Sequence, residues 1–101
     1  MNRQDVLVVG AGPAGMMAAG VAAQNGARVT LLERNGRVGR KLMITGKGRC
    51  NITNACDIAA FIASVPGNGR FLYGAINRFT PQDTVAFFDK IGLSTTVERG
   101  N

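Results

Sequence analysis

The chain has 101 residues, with 12 Lys and Arg against 6 Asp and Glu, two Cys, and neither His nor Trp. This length allows one small domain at most, and an apolar content of 46% is too high for a disordered tail. The lack of His excludes histidine-based zinc sites and Ser-His catalytic machinery, and two Cys cannot form a disulfide framework.

The apolar N-terminal stretch imitates a signal peptide or a membrane helix, because residues 6–23 carry no charge. Asp5 is out of place in a positively charged leader, and the glycines between Gly10 and Gly15 would interrupt a spanning helix. The stretch also divides into a β-branched part, a turn and an Ala/Met-rich part. We therefore expect a soluble, cytoplasmic chain with reduced thiols and no membrane partner.

The first elements form one strand–helix–strand unit. The sequence predicts a short buried strand at Asp5–Val9, a helix from Ala14 to Asn25 that Gly26 ends, and a second strand at Arg28–Leu32. About thirty residues is the size of one βαβ crossover, so the predicted fold class is α/β with a parallel sheet.

The rest of the chain predicts loops and short helices, and one further strand. The predicted elements are a loop over 35–54 with a helical turn near Arg40–Met43, a helix capped by Asp57 and running to Ser64, a turn at Pro66–Gly69, a helix at Phe71–Phe79, a helix that Thr80 caps and Gly92 ends, and a strand at Ser94–Glu98.

The turn after the first strand fits the pattern G-x-G-x-x-G, with Gly10, Gly12 and Gly15 as its glycines and Pro13 and Ala14 opening the helix. In this pattern the first glycine permits the tight turn, the second lets a pyrophosphate approach the backbone, and the third allows close helix–strand packing. The helix N-terminus adds free N–H groups and about half a positive charge. The alternative is a tight turn that binds nothing.

An acidic residue stands at the end of the second predicted strand. Glu33 follows Gly10 by 23 positions, where a carboxylate accepts hydrogen bonds from the hydroxyls of an adenosine ribose. It would repel a 2′-phosphate, which disfavours NADP at this position, although the positive charge of Arg34, the next residue of the predicted site, partly offsets this repulsion. A solvated strand end is the alternative interpretation.

Half of the basic residues lie in one segment: Arg34, Arg37, Arg40, Lys41, Lys47 and Arg49. The segment is either a solvated loop or a local phosphate site. No aromatic residue lies among these charges to stack on bases, which argues against a nucleic acid partner.

Residues 39–54 read GRKLMITGKGRCNITN. Together with the glycine turn, this stretch resembles the bacterial three-domain NAD(P)/FAD-dependent flavoproteins that include aminoacetone oxidase, over essentially the whole chain. One departure is Lys47, which stands where the family often has glycine. Cys50 and Cys56 also invite comparison with flavin disulfide reductases, but five residues separate them where that class has four.

The resemblance implies bound FAD, with NAD(P)H as a candidate electron donor. It implies that Glu33 holds the ribose, that the glycine turn holds the pyrophosphate, and that further residues line the route to the flavin: Gly39, Arg40, Lys41, Gly46, Gly48, Arg49, Cys50 and Asn51.

The predicted function is therefore that of an FAD-binding segment of a flavoprotein oxidoreductase acting on a small-molecule substrate. The alternatives are an NAD-dependent dehydrogenase and a nucleotide-binding module without turnover. Two or three strands make an incomplete sheet. We expect residues 1–101 to be the N-terminal part of an FAD-binding Rossmann-type domain that lacks the substrate domain and is inactive alone, with further polypeptide or an oligomer partner covering the sheet.

Overall fold

The first half of the chain is a strand–helix–strand unit. In the computed structural model, which describes residues 3–46 and 49–98, this unit contains β1 (Asp5–Val9), α1 (Pro13–Gln24) and β2 (Arg28–Leu32). The strands pair in parallel, with Asp5 opposite Arg28 and Val9 opposite Leu32. Both predicted strands are confirmed, and the fold class is α/β.

Helix α1 begins and ends one residue earlier than predicted. Pro13 occupies its first position, because the fixed φ of proline suits a helix start and its missing N–H is no loss there. At the other end Gly26 has φ +92° and its N–H donates to the Ala23 carbonyl at 3.0 Å. A glycine in this conformation ends the helix and returns the chain to β2, as predicted.

The two faces of the sheet differ in burial. Val6, Val8, Val29 and Leu31 are half-buried on the face that α1 covers. On the opposite face Leu7 is 62% exposed, Val9 78% and Leu32 47%. Apolar side chains therefore alternate onto a face that no element of the described part of this unit covers.

Gly39, with φ +65°, precedes α2 (Arg40–Met43), which is the single helical turn that the sequence predicts. The chain divides into two compact units, Met1–Asn51 and Ile52–Asn101, so that α2 belongs to the first.

The second unit is helical, and its helix starts follow from local capping. It contains α3 (Ile58–Ala63), a 3₁₀ turn (Gly69–Leu72), α4 (Tyr73–Arg78) and α5 (Pro81–Lys90). Asp57 caps α3 by accepting a hydrogen bond from the Ala60 N–H at 2.8 Å. Thr80 and Asp83 cap α5 reciprocally at 3.0 and 2.9 Å. Both caps were predicted.

The single helix predicted over 71–79 is wrong in its first part. The chain forms the 3₁₀ turn through Leu72 and becomes α-helical only at Tyr73. Gly69 is buried, and a Cβ there would lie 2.5 Å from the Ile62 carbonyl oxygen. This close approach fixes the start of the segment by tertiary packing, which local periodicity does not reveal.

The strand predicted at Ser94–Glu98 is also wrong. Gly92, with φ +91°, ends α5 as predicted, but the residues after it are irregular and exposed, including Val97 at 76%. β-branched residues favour a strand where a neighbouring strand completes the hydrogen-bond ladder, and the described residues provide none for this segment.

Candidate functional site

The glycine turn leaves β1 with a backbone conformation that requires glycine. Gly10 has φ +98°, which side chains with a Cβ rarely adopt. Its N–H donates to the Leu32 carbonyl at 2.7 Å. The turn therefore starts where the two strands are still paired, at their carboxyl ends.

Gly12 and Gly15 serve the turn in different ways. A Cβ on Gly15 would overlap the Gly10 carbonyl oxygen and lie 3.5 Å from Cγ1 of Val8, so only glycine lets α1 pack this closely. A Cβ on Gly12 would have nothing within 4 Å. Gly12 is thus dispensable for packing, and its bare backbone leaves room for a ligand.

The first turn of α1 presents main-chain donors beside Gly12. Pro13 has no N–H, and the N–H groups of Ala14 and Gly15 belong to the first turn, which a helix leaves without intrahelical acceptors. These donors and the positive end of the helix dipole suit a phosphate group.

Glu33, just after β2, lies at this turn. Its Oε1 accepts a hydrogen bond from the N–H of Ala11 at 2.9 Å. Its Oε2 accepts one from the Asn35 N–H and one from Asn35 Nδ2, both at 2.9 Å. Hydrogen bonds from the main chain of Asn35 and Ala11, from the Asn35 amide, and the charge of Arg34 lower the pKa of Glu33. The carboxylate is therefore ionised and fixed in direction.

An open groove of about 450 Å³ begins at this carboxylate. Its lining consists of Val9, Gly10, Leu32, Glu33 and Arg34. The lining thus combines the apolar residues Val9 and Leu32 with the oriented carboxylate of Glu33 and the cation of Arg34. Such a groove offers a surface for a flat base and an acceptor for a sugar hydroxyl.

The basic loop joins the glycine turn through Ala11, which is completely buried. The Gly39 N–H donates to the Ala11 carbonyl at 2.7 Å, and a Cβ on Gly39 would lie 3.2 Å from Cε of Met16. Helix α2 therefore starts against the turn. Its first residue, Arg40, donates from Nη1 to Oδ1 of Asn35 at 3.1 Å.

The other predicted residues of the loop form a turn of their own. Gly46 has φ +73° and accepts a hydrogen bond from the Arg49 N–H at 2.9 Å, and a Cβ on Gly46 would lie 3.4 Å from Nδ2 of Asn51. Lys41 and Cys50 are exposed. Gly48 and Lys47 lie outside the described residues.

Asn35 and Ala11 are the residues that the sequence prediction missed. Asparagine commonly bonds to groups two residues away, so the order Glu-Arg-Asn after a strand contained a usable signal for Asn35. Ala11 contributes only main-chain atoms, and nothing in its side chain indicates this role.

Three chemical features can be stated for residues 3–46 and 49–98. None of their helices is both long and apolar enough to cross a membrane. They contain no group of three or more acidic, Cys or His side chains suited to a metal ion. Cys50 and Cys56 are free thiols.

Residues 4–101 match the model of the HI0933-like protein Rossmann domain. The chain is 37% identical over 95 residues to a ribosomal RNA dihydrouridine synthase of Escherichia coli, and the aligned region covers 93% of this chain and 23% of that protein. It is 35% identical over 103 residues to a 3-dehydro-bile acid delta(4,6)-reductase of Clostridium scindens, covering 99% and 24%. A ribosomal RNA dihydrouridine synthase of Haemophilus influenzae is 32% identical over 88 residues, covering 87% and 21%. The chain spans about a quarter of the length of these relatives.

Proposed function

The chain belongs to the HI0933-like Rossmann domain family of flavoprotein oxidoreductases, and we propose that it binds FAD as the nucleotide-binding domain of a flavin-dependent reductase. The observation that carries this proposal is the 2.9 Å hydrogen bond from the Ala11 N–H to Glu33 Oε1. It places an ionised acid beside a turn suited to phosphate, as the adenosine half of a dinucleotide requires.

The described residues fit the ADP half of FAD. The main chain at Gly12, Ala14 and Gly15 would hold the diphosphate, because the space beside Gly12 is open and the helix start provides donors. Glu33 would hold the ribose. The apolar side of the groove, with Val9 and Leu32, would contact the adenine.

Nucleotide binding to the full-length protein tests this proposal. We expect a flavin absorption spectrum in the purified protein and, after removal of flavin, tight binding of added FAD. Gly12→Val should abolish FAD binding, because its side chain would extend into the ligand space. A Cβ at this position has nothing within 4 Å, so the free energy of unfolding should fall by only about 1 kcal/mol, the cost of replacing the N-cap glycine. Gly20→Ala is the matched control, since Gly20 lies in the same helix beside open space.

Two results would contradict the proposal. A colourless protein that binds NAD tightly would support an NAD-dependent dehydrogenase using the same turn. A protein that binds flavin without photoreduction and reoxidation by oxygen would be a nucleotide-binding module without turnover.

The relatives' names suggest the type of reaction. Dihydrouridine carries two more hydrogens than uridine, and a delta(4,6)-reductase adds hydrogen to carbon–carbon double bonds. We propose that the whole protein adds a hydride and a proton across a carbon–carbon double bond conjugated to a carbonyl, in a small-molecule substrate. Bound FAD would supply the hydride once NAD(P)H, the proposed donor, had reduced it, and the residues of this chain would bind and orient the cofactor.

Ribosomal RNA is a second candidate substrate. Two relatives are named for it, and the cations between Arg34 and Arg49 suit an anionic partner. Nucleoside analysis of ribosomal RNA from cells lacking the protein separates the candidates. Loss of dihydrouridine would identify RNA as the substrate, whereas unchanged RNA would favour a small molecule.

Three further parts of the prediction remain proposals. The first is that the chain belongs, within its family, to the flavoproteins that resemble aminoacetone oxidase. The second is that further polypeptide, or a partner subunit, covers the exposed apolar face of the sheet at Leu7, beyond the groove. The third is a cytoplasmic location, with which the free thiols of Cys50 and Cys56 agree.

A further inference from the structure

We infer that Asn35 and Arg40 are positioning residues for the ribose-binding carboxylate, and that Arg40 acts through Asn35 and not on a phosphate. This inference rests on the proposed FAD site. It departs from the sequence prediction, in which Arg40 lined the route to the flavin.

The carboxylate of Glu33 has little acceptor capacity left. A carboxylate offers roughly four acceptor positions, and the Ala11 N–H occupies one on Oε1. Asn35 occupies both on Oε2, through its main-chain N–H and its Nδ2. The position that remains is on Oε1, so the carboxylate is held in one direction for one hydroxyl.

Arg40 decides which end of the Asn35 amide faces Glu33. A guanidinium group can only donate and an ionised carboxylate can only accept. With Arg40 Nη1 at 3.1 Å from Oδ1 of Asn35, the Nδ2 end must point toward Glu33. Reversing the amide would set two donors against each other at Arg40 and two acceptors at Glu33.

The backbone closes this chain of contacts into a ring. Arg40 follows Gly39, whose N–H donates to the carbonyl of Ala11 at 2.7 Å. The N–H of the same Ala11 donates to Glu33. The main chain that precedes Arg40 is thus held at the glycine turn, and from there the guanidinium reaches Asn35.

Competition binding in the full-length, flavin-free protein tests the inference, with adenosine and ADP displacing FAD. The variants are Asn35→Ala, Arg40→Ala, Arg40→Lys and the double alanine variant. Arg37→Ala is the matched control, because Arg37 is an exposed arginine of the same loop. Asn35→Asp is a second variant of similar size, which retains an acceptor for Arg40 but loses the donor to Glu33.

We expect Asn35→Ala and Arg40→Ala to weaken adenosine and ADP equally, by about three- to tenfold, since each frees one rotamer-rich side chain that binding must then order. Arg40→Lys should weaken both ligands less, because an ammonium group can still donate to Oδ1 of Asn35. The double variant should be no weaker than the single alanine variants. Asn35→Asp should weaken both ligands more, and Arg37→Ala should change neither.

Other outcomes would overturn the inference. If Arg40→Ala weakens ADP but leaves adenosine unchanged, Arg40 contacts a phosphate. If the two alanine effects add fully, or Asn35→Ala and Asn35→Asp bind normally, the residues are not coupled through Glu33. If the protein without any of these substitutions binds neither FAD nor ADP, the proposed function itself is refuted.

The pH profile of ADP binding separates positioning from a merely structural role. Binding should fall on the acid side as Glu33 becomes protonated. Asn35→Ala removes one hydrogen bond that lowers the pKa of Glu33, so the acid limb should move to higher pH. The other charged groups near this carboxylate are Arg34, which is adjacent, and Arg40, which lies behind Asn35. An unmoved acid limb would contradict the inference.

Discussion

Replacing Gly15 with alanine should separate α1 from the turn that precedes it. The new Cβ would overlap the Gly10 carbonyl oxygen and lie 2.9 Å from the Gly10 carbonyl carbon. Both are main-chain atoms, which no change of rotamer can move away. The start of the helix, or the turn itself, must therefore shift.

The expected cost is about 2–3 kcal/mol in the free energy of unfolding, at the upper end of the range for an overpacked site. Gly20→Ala, in open space in the same helix, should instead stabilise by up to about 1 kcal/mol through helix propensity. Urea denaturation of the flavin-free protein measures both. The close packing inferred at Gly15 is refuted if Gly15→Ala is as stable as Gly20→Ala.

Two further substitutions test the site and the second unit. The N–H groups of Asn35 and Ala11 lower the pKa of Glu33 from its ordinary 4.5. The contribution of Glu33 to stability is therefore complete above pH 4.5 and disappears as the pH falls through the folded-state pKa. Glu33→Gln should remove this acid dependence from denaturation curves, and an unchanged dependence would contradict the prediction. Thr80→Ala removes the cap of α5 and should cost about 1 kcal/mol, whereas the exposed Thr95→Ala should stay within about 0.5 kcal/mol; equal urea midpoints would show that the cap contributes nothing.

Elements whose signals are local could be predicted from the sequence. The bounds of β1 and β2 follow from short Val/Leu-rich runs that end at turns. The cap residues Asp57 and Thr80 lie immediately before the helices that they start. For the caps the interacting groups are three residues apart, so the chain order already contains the geometry.

Features that depend on distant partners could not be predicted. The strand expected at Ser94–Glu98 failed because its composition does not reveal whether a neighbouring strand is present. Gly20 shows the same limit, since a glycine inside a helix often indicates a close packing contact, yet a Cβ at Gly20 would meet only open space. Arg40 was predicted from the family resemblance and from its charge, and neither distinguishes a phosphate from the amide of Asn35 as its acceptor.

Ala11 shows why two sequence motifs that look separate form one site. The glycine pattern treats this position as variable, yet its N–H holds Glu33 at 2.9 Å and its carbonyl holds Gly39 at 2.7 Å. Both contacts use main-chain atoms and would be possible for any residue. What limits the size of the side chain is its burial, because Ala11 is completely buried. A larger side chain at Ala11 would have to displace its surroundings, and the acid and the basic loop would then move together. A larger residue at this position should therefore weaken both nucleotide binding and the contact between α2 and the glycine turn. The two effects should appear together, because both contacts depend on the main chain of Ala11.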